Sequence, residues 1–347
     1  MKHFDQVEIV KVALTHRCNL ACFYCSDNLS KNKTGEFMAE EECVKWLTAL
    51  PRLRMVTLYG GEPLLSTRCI EFANRILQEI PFPVRVAIFT NGTIINDEIR
   101  GFLANPRAVL NLTRSSDPVS QDVRKFKADG RSSRAIVSRN AQEFYRLCGP
   151  RLVVVDTLLP DSLGRLAHSI ISGFESSDFV ELNLIRSEVE FTAFDLLATE
   201  LDQVVAYLLD HPGKCFKNFS KRPPLDPEFK RDWYRFIQGT YTDYANGIRN
   251  ILIDVDGKIY PGTSVAGRGL AMGDIFGRVN DSYYHLFADG KDDCDCEYKY
   301  MCVPNYENYN PDNLVLPFKQ PSHCRYFKTV AGAMAKYYQG LKVRGML

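Results

Sequence analysis

The chain has 347 residues, 45% hydrophobic and 24% charged, and 43 lysines and arginines against 42 aspartates and glutamates leave a formal net charge of +1. A chain of this length buries roughly three quarters of its unfolded surface and needs no disulfide staple. Near neutrality, without any stretch dense in lysine and arginine, gives no electrostatic footprint for nucleic acid or an anionic membrane. The N-terminal Met1-Lys2-His3-Phe4-Asp5-Gln6 lacks an apolar h-region and no run of about 18 apolar residues follows, so neither a signal peptide nor a membrane span is expected and the default location is cytoplasmic.

In chain order, near-continuous apolar runs predict strands at Val7–Leu14, Met55–Tyr59, Val84–Phe89, Val109–Thr113, Leu152–Leu158 and Phe179–Ile185, the pattern of a parallel sheet covered on both faces. Amphipathic helices separate them. Cys43, Leu47 and Leu50 share one face; Ile70, Ala73, Ile76, Leu77 and Ile80 follow a Ser66 cap; Val137, Ala141 and Phe144 mark a third. Six βα units read as a partial (β/α)6 TIM barrel over residues 1–210, closed by a helix around Asp195–Asp210. Pro212, Pro223, Pro224 and Pro227 then mark a linker or wrapping segment over 211–247. Residues 248–347 read as a small cysteine-rich domain. It opens with Ile251–Asp254 and Lys258–Tyr260 flanking Val255-Asp256-Gly257, an Asp-Gly hairpin signal, and closes with a helix from about Phe327 to Leu341.

Of 11 cysteines, an odd number, seven fall into two groups, which in a reducing compartment suggests metal before disulfide. The first group is Thr15-His16-Arg17-Cys18-Asn19-Leu20-Ala21-Cys22-Phe23-Tyr24-Cys25, directly after the first strand, where the loops of an α/β barrel carry function. Three thiolates leave one iron of a four-iron cluster open to an exogenous ligand. A closed structural zinc site is the alternative, with His16 as its fourth ligand. The second strand ends in Tyr59-Gly60-Gly61-Glu62-Pro63, where two glycines permit close backbone approach to a ligand. By itself that segment is a turn, and its weight comes from lying on the same rim.

Cys18-x3-Cys22-x-Tyr24-Cys25 followed by Gly60-Gly61-Glu62-Pro63 resembles the radical S-adenosylmethionine (radical SAM) superfamily over about the first 200 residues. The resemblance implies that Cys18, Cys22 and Cys25 ligate a [4Fe-4S] cluster whose open iron binds the amino and carboxylate groups of S-adenosylmethionine. An electron from an external reductant of flavodoxin or ferredoxin type then yields methionine and a 5′-deoxyadenosyl radical, which abstracts hydrogen from substrate. It further implies Tyr24 near the adenine, Gly60, Gly61 and Glu62 at the methionine amino group, and Asn91 in Thr90-Asn91-Gly92 closing the third strand. Ser115 and Asp117 of Ser115-Ser116-Asp117-Pro118 take the ribose hydroxyls, and Arg139 matches loosely an arginine for the carboxylate. A solvated helix arginine is the other reading of Arg139.

The second group, Cys294-x-Cys296-x5-Cys302 and then Cys324, resembles the SPASM extension or its shorter twitch form, as do Asp254-x-Asp256-Gly257 through Pro261 and Met272-Gly273-Asp274-Ile275. Gly262 and Tyr306 stand where the full extension has cysteines, so the resemblance implies one auxiliary [4Fe-4S] cluster on Cys294, Cys296, Cys302 and Cys324. A zinc ribbon is the alternative. Cys43, Cys69 and Cys148 read as small buried hydrophobes. Cys215, in the Pro-rich stretch, is either an inert loop thiol or a hydrogen donor or cluster ligand at the barrel mouth.

The resemblance to peptide maturases implies hydrogen abstraction from a ribosomally made precursor peptide, ending in cross-linking, oxidation or epimerisation, with the peptide bound directly or delivered by a separate recognition protein. A radical SAM dehydrogenase or epimerase of a small sugar or aminocyclitol is the second reading, and a non-catalytic iron–sulfur or zinc protein the third. Asn183, Arg186 and Glu188 near the sixth strand's end are candidates to orient substrate. Nucleic acid and membrane are not expected as partners.

Overall fold

The computed structural model describes residues 4–25, 35–184, 193–219, 250–262, 271–280 and 321–346. Alternating strands and helices build one mostly parallel sheet: β1 (Ile9–Thr15), α1 (Glu40–Thr48), β2 (Met55–Gly60), α2 (Cys69–Glu79), β3 (Arg85–Thr90), α3 (Asp97–Leu103) and β4 (Ala108–Arg114) form its first half. After the short α4 (Pro118–Asp122) and the longer α5 (Arg134–Cys148) come β5 (Leu152–Leu158), α6 (Leu166–Gly173), β6 (Phe179–Leu184), α7 (Phe194–Asp210) and the two-residue β7 (Cys215–Phe216). Strands β1 to β7 pair in chain order, each parallel to the next, as the six predicted apolar runs require.

Strand interiors of Val, Ile and Leu bury one side chain in two against the helices. Val10, Val12, Val56, Leu58, Val86, Ile88, Leu110 and Leu112 join Leu47, Phe72, Ile76, Phe102 and Phe144 in a first core. Val154, Leu158, Val180 and Leu182 join Ile170, Leu201, Val204 and Leu208 in a second. The alternate side chains face away from the helix layer. Lys11, Asn111, Val155, Thr157 and Glu181 sit at those positions, so the inner face of the sheet is partly polar.

The segment expected as a separate C-terminal domain enters this framework from both sides. Strand β8 (Asn250–Ile253) pairs parallel with β1, and β9 (Lys258–Tyr260) and β10 (Gly273–Asp274) extend the same sheet antiparallel. Ile251, Leu252 and Ile253 are buried together, which demands cover on both faces and explains why the strand joins the sheet instead of standing apart. The hairpin turn is the predicted one, with Gly257 at φ 78°. Helix α8 (Pro321–Val343) lies at the opposite end of the barrel, where Tyr326, Val330, Ala331 and Met334 complete the second core against α7. The expected boundary at 248 thus falls within one sheet. Most of the Pro-rich segment, together with Arg186, Glu188, Cys294, Cys296 and Cys302, lies outside the described residues, as does the side chain of Cys324. Among the described residues no helix is long and apolar enough to cross a membrane.

Candidate active site

The rim formed by the C-terminal ends of β1 to β4 gathers the sequence-predicted residues, and the backbone explains how. Past Thr15 the chain must turn away from the sheet, and the Gly60-Gly61-Glu62 segment runs directly alongside it. The Gly61 N–H donates to the Thr15 carbonyl at 2.8 Å and the Glu62 N–H to the Arg17 carbonyl at 2.8 Å. A Cβ on Gly60, whose φ is 136°, would sit 2.2 Å from the Thr15 carbonyl oxygen, and one on Gly61 would sit 2.3 Å from that of Arg17. Here the two glycines serve backbone-to-backbone packing against the root of the cysteine loop. The far side of the loop is tied by Ala21 N–H to the Lys125 carbonyl, 2.8 Å, and by Lys127 N–H to the Asn19 carbonyl, 2.9 Å.

Glu62 is fully buried and its carboxylate stitches β2 to β3. It accepts from the Asn91 N–H at 2.7 Å, the Thr90 hydroxyl at 2.9 Å and the Leu64 N–H at 3.2 Å. Burial pushes its pKa up to about 7, against the pull of those three donors. Asn91 in turn donates to the Cys18 sulfur at 3.8 Å and to Asn19 Oδ1 at 2.8 Å. Cys18 also accepts from the Leu20 N–H at 3.4 Å. Its thiol is pushed up to about 11, first by burial and then by Glu62, Cys22 and Cys25, so the other two cysteines lie within electrostatic reach.

Among the described residues no three histidine, cysteine or carboxylate side chains converge as a single ion requires. A four-iron cluster makes a different demand, since each thiolate holds a different iron and the sulfurs surround a volume instead of meeting at a point. Three soft donors on one loop fit that group. His16, the candidate fourth ligand of the zinc alternative, stands with its Nε2 3.0 Å from the Asp254 carboxylate.

Tyr24 lies on the loop with its ring against Phe23 and its hydroxyl accepting from Arg124 Nη1 at 3.1 Å. Burial pushes that hydroxyl up to about 12, with Arg124 opposing. Arg124 is the residue that sequence reasoning missed. It is buried, donates to the Thr113 carbonyl at 2.7 Å, and carries a second side-chain nitrogen, Nε, that is buried without a partner. Burial lowers its pKa, but neighbouring Tyr24, Cys22 and Cys18 outweigh that and the net direction is up. No spacing in the sequence distinguishes it; only the fold of residues 118–133 over the cysteine loop does.

The structure places four further candidates as follows. Asp117 is 0% exposed, caps α4 through the Ser120 N–H, and its oxygens accept from Arg165 Nε at 2.6 Å and the Ser162 hydroxyl at 2.7 Å. Ser115 likewise turns inward, donating to Asp156 at 3.2 Å and accepting from the Asp117 N–H. Arg139 is exposed on α5, one turn from Glu143. Cys215 is not at the barrel mouth. It pairs with Phe179, the first residue of β6, which puts it at the N-terminal edge of the sheet, about 17 Å of strand from the rim. The buried Cys43, Cys69 and Cys148 behave as expected of small hydrophobes.

The chain thus forms a parallel α/β partial barrel with a three-cysteine loop on its C-terminal rim. Residues 12–134 match the family model of the Radical SAM superfamily. Among curated relatives, a GTP 3′,8-cyclase of Limosilactobacillus fermentum is 35% identical over 102 residues, 27% of this chain and 30% of that protein. One of Parasynechococcus marenigrum is 29% identical over 178 residues, 49% of this chain and 45% of that protein. The chain spans less than half the length of these relatives. Among solved structures, native anSMEcpe with bound AdoMet superposes with a TM-score of 0.70 at 14% identity, covering 96% of this chain and 98% of that one. Streptococcus suis SuiB bound to precursor peptide SuiA gives 0.64 at 16% identity, covering 93% and 77%. At these identities the likeness is one of fold.

Proposed function

We propose that this protein cleaves S-adenosylmethionine reductively and uses the resulting radical to abstract hydrogen from a ribosomally made peptide. The observation that carries the first half is the interlock on the rim, in which Gly60, Gly61, Glu62 and Asn91 all bear directly on the loop of Cys18, Cys22 and Cys25. Those three thiols would hold a [4Fe-4S] cluster, which with S-adenosylmethionine supplies the 5′-deoxyadenosyl radical. Glu62 fixes the β2 and β3 termini against the loop, Asn91 steadies Cys18, and Arg124 offers a buried cation with an unpartnered N–H beside Tyr24. Cys294, Cys296, Cys302 and Cys324 form the set we propose for one auxiliary [4Fe-4S] cluster, and a flavodoxin or ferredoxin type reductant supplies the electron. The cytoplasm suits seven described cysteines that are all free thiols.

Two observations favour a peptide. The fold likeness to SuiB with its precursor peptide runs across 93% of this chain, whereas the cyclase matches cover half of it or less. The inner face below the rim also offers hydrogen-bonding groups, Asn111 and Thr157 with its buried, unpartnered hydroxyl, and among the described residues its two lysines are engaged, Lys11 over the Phe89 ring and Lys217 with Glu181 at 2.5 Å. A triphosphate wants several unpaired cations. The cyclase relatives nonetheless supply a second reading, a nucleotide substrate.

The test is anaerobic iron and sulfide analysis of the wild type and of a variant with Cys18, Cys22 and Cys25 all changed to alanine. 5′-Deoxyadenosine is assayed after reduction with S-adenosylmethionine. We expect about eight irons per chain, falling to about four with loss of 5′-deoxyadenosine. Added GTP consumed in step with 5′-deoxyadenosine would replace the peptide reading with the nucleotide one, and full iron without any 5′-deoxyadenosine would defeat both.

A further inference from the structure

The cysteine loop is held on three sides. Two of the holds are backbone hydrogen bonds from inside the barrel, through Gly61 and Glu62 on one side and Lys125 and Lys127 on the other. The third is a side-chain pair from far along the sequence: His16 Nε2 stands 3.0 Å from Asp254 Oδ1, with both side chains 7% exposed. Asp254 ends β8 at the hairpin turn and is itself fixed there. Its N–H donates to the Lys258 carbonyl at 2.9 Å, its carbonyl accepts from Gly257 at 2.8 Å, and its Oδ1 accepts from the Val255 N–H at 2.9 Å.

His16 is also confined from behind. Its N–H donates to the Gly35 carbonyl at 3.0 Å, and Gly35 packs so tightly on the hairpin that a Cβ there would lie 2.5 Å from Val255 Cγ2. Loop root, Gly35 segment and hairpin turn therefore form one packed joint two residues before Cys18. A single buried hydrogen bond adds little to stability by itself, but removing Asp254 leaves a buried ring nitrogen of His16 without this partner. Its value lies in fixing position.

We propose that Asp254 is a positioning residue for the cysteine loop: through His16 it makes the C-terminal hairpin part of the support that holds the first cluster. The inference rests on the reading that Cys18, Cys22 and Cys25 ligate that cluster. Seating of the hairpin against β1 sets how firmly the loop keeps its iron, so Asp254 acts on the first cluster without being a ligand to it.

The experiment compares the reconstituted wild type with Asp254→Ala, Asp254→Asn and Ser177→Ala under anaerobic conditions. Ser177→Ala breaks the buried hydroxyl bond to the Leu152 carbonyl at the far end of the barrel and controls for a general loss of stability. Two signals are read per folded chain: the rate of iron loss to a chelator, and the amplitude of the EPR signal of the reduced protein that S-adenosylmethionine alters. In Asp254→Ala we expect iron loss about ten-fold faster and the responsive signal reduced accordingly. Asp254→Asn, whose amide oxygen still accepts from His16, restores both, and Ser177→Ala leaves both at the wild-type level. Equal effects of Asp254→Ala and Ser177→Ala, or a full signal in Asp254→Ala, would overturn the positioning role. A wild type with no responsive signal at all would overturn the cluster reading instead.

Discussion

Gly61 shows what one residue decides. Its missing Cβ lets the β2 terminus lie against Arg17, and a methyl group there would meet a carbonyl oxygen that the sheet cannot move. Gly61→Ala is expected to destabilise the protein by about 1–3 kcal/mol in denaturant titration and to loosen the cysteine loop. Asp117 makes the complementary point for charge. Burial alone would raise its pKa, but Arg165, Ser162 and Ser120 outweigh it and hold the carboxyl down at about 2, below its ordinary 3.8. A depressed native pKa means stability that is fully present above about pH 4 and lost as pH falls through 2. Asp117→Asn should therefore cost about 2 kcal/mol near neutrality, a gap that closes on acidification in urea melts taken from pH 7 to pH 2. The sequence shows an aspartate before a proline equally well whether it caps α4 or meets a ligand. Which of these it does depends on Arg165, 48 residues away, and no local pattern announces that partner.

At the scale of elements, the apolar runs of β1 to β6 were legible because a strand buried on both faces cannot be written any other way. The three helices with regular spacing were legible for the same reason. Strand β7 was not, since two residues give no period, and its pairing is specified by Phe216 finding the second core. The C-terminal helix was expected, yet its place was not. It covers α7, and Met334, 1% exposed, is central to that contact. Met334→Ala is expected to cost about 2–5 kcal/mol, read by chemical denaturation, if α8 folds with the barrel as one cooperative unit. A biphasic transition would instead show that the helix unfolds separately.

At the largest scale, one sheet of ten strands among the described residues joins the barrel to residues far beyond it, so the cysteine loop touches β2, β3, the segment after α4 and the C-terminal hairpin. The apolar cores lie on the helix side of the sheet, away from the rim. Removing iron with a chelator should therefore leave the far-UV circular dichroism spectrum intact and shift the thermal midpoint by only a few degrees (about 1 kcal/mol for a chain of this size). Loss of secondary structure on chelation would mean that metal, not the apolar core, holds the fold together.

By itself the sequence determined the order of β1 to β6, the helices α1, α2, α5, α7 and α8, the β8–β9 hairpin, the three-cysteine loop and the two glycines beside it. These are local patterns imposed by backbone period, covalent spacing and steric room, and each can be read within a few residues. Only the tertiary structure decided that Asp117 and Ser115 face inward, that Arg124 and not Arg139 reaches the loop, that Cys215 lies at the far edge, and that Asp254 grips His16. Those outcomes turn on which distant groups meet when the sheet closes. A buried polar side chain takes whichever partner the packing brings to it, because leaving it without one costs more than any local preference supplies.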